Sequence, residues 1–217
     1  MVQRRVEFLT NYQNAAYAAR YRALVERTRI AESAKAPGRC GLAEAVARYL
    51  FKLMAYKDEY EVARLYTDGA FLKQVANELG GENLRFEFHL APPLLARADA
   101  VTGEPRKISF GSWMMNVFKL LARLKFLRGT AFDIFGYSKE RVTERKLIAD
   151  YEAMLDEVLA RLAPGNHACA VGLAAIPEKI RGFGPVKARH LSAAKADEAA
   201  LLEQFRTGTP PLLKAAE

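Results

Sequence analysis

One switch of period constrains this chain more than any other feature. Arg85-Phe86-Glu87-Phe88-His89-Leu90 alternates strictly, which sets Phe86, Phe88 and Leu90 on one side of a strand and Arg85, Glu87 and His89 on the other. Pro92-Pro93 interrupts regular pairing, because proline has no N–H for a ladder. Asp99 to Gly103 has turn chemistry, and Arg106 to Phe110 can return as a second strand with Ile108 and Phe110 inward. Gly111-Ser112 stops that strand, with Ser112 as the expected N-cap, and from Trp113 the apolar period becomes 3.6. Trp113, Met114, Val117, Phe118, Leu120, Leu121, Leu124 and Leu127 cover roughly half of the helix circumference. An arc that wide predicts a helix gripped from two sides, with Trp113 in the core, ending at Gly129.

The rest of the chain reads as helical. Residues 3–34 predict one long helix, starting almost at Met1 without a convincing cap, as a cut through a longer chain or a frayed natural terminus would. Leu42, Val46, Tyr49, Leu50 and Leu53 predict a second helix. Asp68 and Gly80-Gly81 bracket a short one, and Ser138 opens the clearest, in which Ile148, Tyr151, Leu155, Val158, Leu159 and Leu162 recur at three and four. The connection with Phe132, Phe135 and Tyr137 is expected to be pinned to the core. Asn166 is a candidate cap for a helix through Ala175, and Pro185 suits the first turn of a last helix. The expectation is therefore a mainly α fold: a bundle of about seven helices with one small antiparallel hairpin near residues 85–110. It forms a single domain over 1–206 and a tail over 207–217.

Composition narrows the classes. A chain of 217 residues, 51% hydrophobic and 27% charged, has enough apolar material for a core. No apolar run approaches the roughly 20 residues that span a bilayer, and Met1–Arg5 carries no apolar signal segment, so the reading is cytoplasmic and not membrane-bound. Cys40 and Cys169 match no metal spacing and read as reduced thiols. The net charge of +8 suggests affinity for something acidic, be it protein, phosphate or nucleic acid.

No catalytic constellation and no metal site stands out. His89, His167 and His190 are far apart, with no Cys, Asp or Glu at ligand spacing. Gly182-Phe183-Gly184 ahead of a helix could present N–H groups to a phosphate, with His89 and Lys187 as companions; the alternative is a helix stop followed by a tight link. Basic residues gather at Arg97, Arg106, Lys107, Lys119, Arg123, Lys125 and Arg128. Of these, Arg106, Lys107, Lys119 and Arg123 are the candidate partner-binding set. Solvated helix faces are the plainer alternative, and nucleic-acid binding would require exposed aromatics among the charges.

Several longer runs carry a resemblance: Tyr66-Thr67-Asp68-Gly69, Phe88 through Leu94, Thr102 through Lys107, and Leu121 through Lys125. Leu127 through Thr130, Asp133 through Tyr137 and Ile180 through Lys187 extend it. Together they resemble the C-terminal region of bacterial indolepyruvate ferredoxin oxidoreductase family proteins, over nearly the whole chain. Those parents decarboxylate an aryl-2-oxoacid on thiamine pyrophosphate. They pass electrons through an iron–sulfur cluster to ferredoxin and transfer the acyl group to coenzyme A. This chain has no Gly-Asp-Gly thiamine motif and no Cys-x-x-Cys. The resemblance thus implies an accessory or docking domain, inactive by itself and without its own cofactor. Its partners would be the catalytic domains or subunits and ferredoxin. The alternatives are a module binding coenzyme A or another phosphate, or a basic helical domain binding nucleic acid.

Overall fold

The computed structural model describes residues 1–80, 85–90 and 107–208. Among these it is mainly helical with one two-stranded antiparallel sheet, as the periodicity predicts. The helices are α1 (Val2–Tyr12), α2 (Ala15–Lys35), α3 (Leu42–Met54), α4 (Glu59–Thr67) and α5 (Ala70–Leu79). Strands β1 (Phe88–Leu90) and β2 (Ile108–Phe110) come next. Then follow α6 (Met114–Arg123), α7 (Lys139–Arg161), α8 (His167–Ala175) and α9 (Gly184–Thr207). The chain divides into two compact units, one of residues 1–10, 15–55 and 144–217, the other of residues 11–14 and 56–143. The turn expected at Asp99–Gly103 and most of the tail lie outside the described residues.

The first unit is built on apolar helix faces with buried tyrosines. Leu42, Val46, Tyr49, Leu50 and Leu53 of α3 are all buried, as are Ile148, Tyr151, Leu155, Val158 and Leu159 of α7. A buried phenol must place its hydroxyl. Tyr21 donates to the Ala47 carbonyl at 2.8 Å and Tyr151 to the Ala174 carbonyl at 2.8 Å. The start of α3 has no side-chain cap of its own, since Gly41 precedes it at φ 115°. Buried Glu32 of α2 takes that part. Its two carboxylate oxygens accept from the Leu42 and Ala43 N–H groups at 2.7 and 3.0 Å, and His167 Nε2 sits 2.8 Å from one of them. At the other end of the charge scale, Lys35 donates to the Leu159 and Ala160 carbonyls, a cation on the orphan acceptors that end α7.

The second unit packs the hairpin and α6 around aromatic rings. Phe88 pairs with Phe110, His89 with Ser109, and Leu90 with Ile108. Phe88 is buried with Ala63, Met114 and Phe118, and Phe86, Leu90, Phe110 and Tyr66 pack against that cluster. Tyr66 stacks on Phe118 at 5.1 Å, while Phe88 meets Phe118 edge-on at 5.2 Å. His89 faces outward, as the alternation predicts. Ser112 does not cap α6; its hydroxyl donates to the Phe86 carbonyl at 3.2 Å and ties helix start to hairpin.

The long helix expected over residues 3–34 is broken at Gln13-Asn14. The reason is lateral. The Asn11 carbonyl accepts from the Lys125 ammonium and the Tyr12 carbonyl from Arg128 Nη1, so side chains take acceptors that a continuing helix would need. At the far side of α6 the helix tightens into a 3-10 turn over Leu124–Leu127, and Gly129 at φ 76° closes it.

Candidate functional site

Helix α6 is gripped from one side, not two. Met114 and Phe118 are buried, but Trp113 is 59% and Leu120 58% exposed, against the expectation that Trp113 lies in the core. Trp113 is held in place all the same. Its ring meets Phe110 edge-on at 5.9 Å, and it lines the space above Gly111, where an added Cβ would lie 3.6 Å from the indole Cδ1. Seven residues separate Trp113 from Leu120, about two turns or 10.5 Å along the axis. Lys119 and Arg123, one turn apart, flank this apolar line on the same exposed half of the helix.

These two cations and Lys107, which precedes β2, are exposed and have no ion-pair or hydrogen-bond partner among the described residues. Several basic side chains elsewhere are committed. Arg20 reaches Glu152 at 2.6 Å, Arg64 reaches Glu61 at 2.8 Å, Lys179 reaches Asp197 at 2.6 Å and Arg206 reaches Glu157 at 2.6 Å. Of the sequence-predicted partner set, three members thus fall in the second unit as solvent-facing, uncommitted charge, and Arg106 lies outside the described residues.

The connection after α6 is pinned as expected, by Phe135 of the three aromatics named and by Asp133, which was not. Asp133 is buried and accepts from the Gly129 and Gly136 N–H groups at 2.8 and 3.0 Å and from the Tyr60 hydroxyl at 3.2 Å. Phe135 packs edge-on against Tyr60 at 5.4 Å. Phe132 and Tyr137, expected inside, are 77% and 70% exposed.

Beside that segment lies a cluster of buried ionisable groups that includes Asp58, Glu61, Arg128 and Asp133. Arg128, 4% exposed, donates through Nε and Nη2 to the two oxygens of Asp58, the second bond 2.9 Å long. Asp58 also caps α4, accepting from the Glu61 N–H at 2.8 Å. Burial works against the Arg128 charge, yet the Asp58 carboxylate outweighs it and the pKa rises. Burial, reinforced by Asp133, also pushes Tyr60 up, so its phenol stays protonated and keeps donating. Every donor nitrogen of Arg128 is used. A site so saturated has no group free to move a proton and serves as a rivet. The sequence carried a signal for it in Asp58-Glu59-Tyr60-Glu61, whose first and last residues have capping-box spacing.

The alternative phosphate-binding set is distributed over both units. His89 belongs to the second, 3.9 Å from Glu87, whereas Gly182, Gly184 and Lys187 belong to the first. Lys187 is spoken for by an ion pair with buried Glu144. Gly182 has φ 87°, and a Cβ there would come within 2.9 Å of Val186 Cγ1. That steric demand accounts for the glycine as a link into α9. Among the described residues, no group of three or more His, Cys, Asp or Glu side chains is placed to hold a metal ion. No helix among them is long and apolar enough to cross a membrane.

A family model described as a family of unknown function, DUF6537, matches residues 1–200. No curated protein and no solved structure matches the chain.

Proposed function

We propose, for a chain that belongs to the DUF6537 family of unknown function, a docking role: it acts as a mainly helical accessory domain of an indolepyruvate ferredoxin oxidoreductase-like enzyme in the cytoplasm. In this reading it contributes contact surface to the catalytic domains or to the ferredoxin acceptor, and the turnover happens elsewhere. The motif runs from Tyr66 to Lys187 support the choice of parent. The observation that carries the docking role is the outer face of α6, where an exposed Trp113 and Leu120 stand beside uncommitted Lys119 and Arg123. Exposed charges of this kind steer an encounter and fix its register more than they tighten it.

The test is titration of the purified chain against the catalytic region of such an enzyme and against its ferredoxin across a salt series. Binding at low salt that weakens as salt rises is the expected result. The chain alone is expected not to oxidise indolepyruvate. Absence of binding to both proteins at low salt sinks the reading.

A further inference from the structure

We infer that the outer face of α6 is a seat for an acidic amphipathic helix of a protein partner, with Trp113 and Leu120 as the apolar anchors and Lys119 and Arg123 as the charge clamp. This deepens the docking reading above and rests on it for the existence of a partner. Three features converge on a helix. First, Trp113, the αR residue that opens α6, and Leu120 lie seven positions apart, about two turns, a spacing that matches the i, i+3/i+4, i+7 ridge of an opposing helix. Second, the indole is already oriented by Phe110, so little side-chain freedom is lost when a partner covers it. Third, the cations lie on one flank of the apolar line and find no carboxylate among the described residues, which makes an acidic flank the complementary chemistry for this face.

The same features disfavour other anionic partners. Single-stranded nucleic acid is gripped by successive stacking rings along a basic groove. Here the indole already has an edge on Phe110, and Phe126, the other exposed ring next to these cations, lies thirteen positions from it rather than in a successive stack. A lipid surface takes an amphipathic helix sunk roughly 5–10 Å into the headgroups. Helix α6 is anchored through Met114 and Phe118 to its own core, and Asn116 is exposed between the two anchors.

Trp113 is the only tryptophan of the chain, so its emission reports directly on the proposed seat. The full chain is titrated with a synthetic helical peptide of about three heptads, free of aromatic residues, with Leu at the a and d positions and Glu flanking them. Its sign-inverted twin with Lys flanks, vesicles of phosphatidylserine and phosphatidylcholine, and poly-U RNA are titrated in parallel. A blue shift with the Glu peptide that weakens with salt supports the proposal. So does a loss of affinity of about tenfold or more in Lys119→Glu/Arg123→Glu together with a gain for the Lys twin. Equal shifts with both peptides, a shift with vesicles or RNA alone, or no shift at all overturns it. The wild-type comparison stands even where the double variant fails to fold. Failure here is separable from failure of the docking role. A folded Trp113→Ala/Leu120→Ala chain that still binds the catalytic region removes this face and leaves docking intact. A wild-type chain that binds the Glu peptide but neither the catalytic region nor ferredoxin keeps the face and removes the proposed parent.

Discussion

The guanidinium of Arg128 lies 3.7 Å from the centroid of the Tyr12 ring while its Nη1 donates to the carbonyl of that same residue. One side chain thus ends a helix, stacks on an aromatic and neutralises the carboxylate that starts α4. Replacing Arg128 with Met leaves Asp58 buried without its countercharge. The expected cost is about 3–5 kcal/mol, because the carboxylate and not the lost bond dominates. Urea denaturation followed by far-UV circular dichroism measures it. A loss below 1 kcal/mol, on the order of an exposed pair, contradicts the rivet.

Glu32 gives the first unit an acid-sensitive point. Burial raises its pKa, but the Ala43 N–H, His167 and the Leu42 N–H outweigh burial, and the folded value falls below 4.5. A depressed folded value means that the stabilisation is fully present above the unfolded value and disappears as pH falls through the folded one. Glu32→Gln is expected to cost about 1–3 kcal/mol at neutral pH. The variant should also show a shallower decline in stability between neutral and acid than the wild type. Denaturation midpoints at a series of pH values check both, and parallel pH curves for the two proteins count against the assignment.

Opposite faces of α6 should respond oppositely to truncation. Phe118 is buried against Tyr66 and Phe88, and Phe118→Ala should cost about 3–5 kcal/mol. Leu120→Ser, on the exposed face, should stay within about 0.5 kcal/mol. If both are equally destabilising in the same denaturation assay, the exposed face is wrongly identified.

Gly182→Ala should loosen the start of α9. The added methyl meets Val186 Cγ1, and the residue is held at a positive φ that alanine resists. The expected cost is about 1 kcal/mol. Faster amide exchange confined to the first turns of α9 is the readout, and unchanged protection there contradicts it.

Much of this fold was legible because local chemistry dictates it. Asp68 and Gly80 bracket α5 as read, with the Ala70 N–H donating to Asp68 Oδ1 at 3.0 Å and Gly80 at φ 61°. Ser138 opens α7, and the alternation from Arg85 to Leu90 puts Phe88 in and His89 out. What escaped the sequence depends on distant residues. The break at Gln13-Asn14 draws on Lys125 and Arg128, the latter 116 residues away; the local hint is Asn14, a residue type suited to the cap position just ahead of α2. An apolar helical arc does not say how much of itself is covered, so Trp113 read as core although it and Leu120 face water. For the candidate site, charge clustering located Lys119 and Arg123, but the apolar anchors beside them came only from the packing of Met114 and Phe118.

Residues 11–14 belong to the second unit although the segments on either side belong to the first. A gene fragment spanning only 56–143 would therefore omit part of what it tries to isolate. Its Arg128 would keep Asp58 but lose both the ring and the acceptor that Tyr12 supplies. Excision by a single pair of cuts is the wrong dissection for this protein; a circular permutant or a two-piece reconstitution that restores the Tyr12 strip is the fitting one.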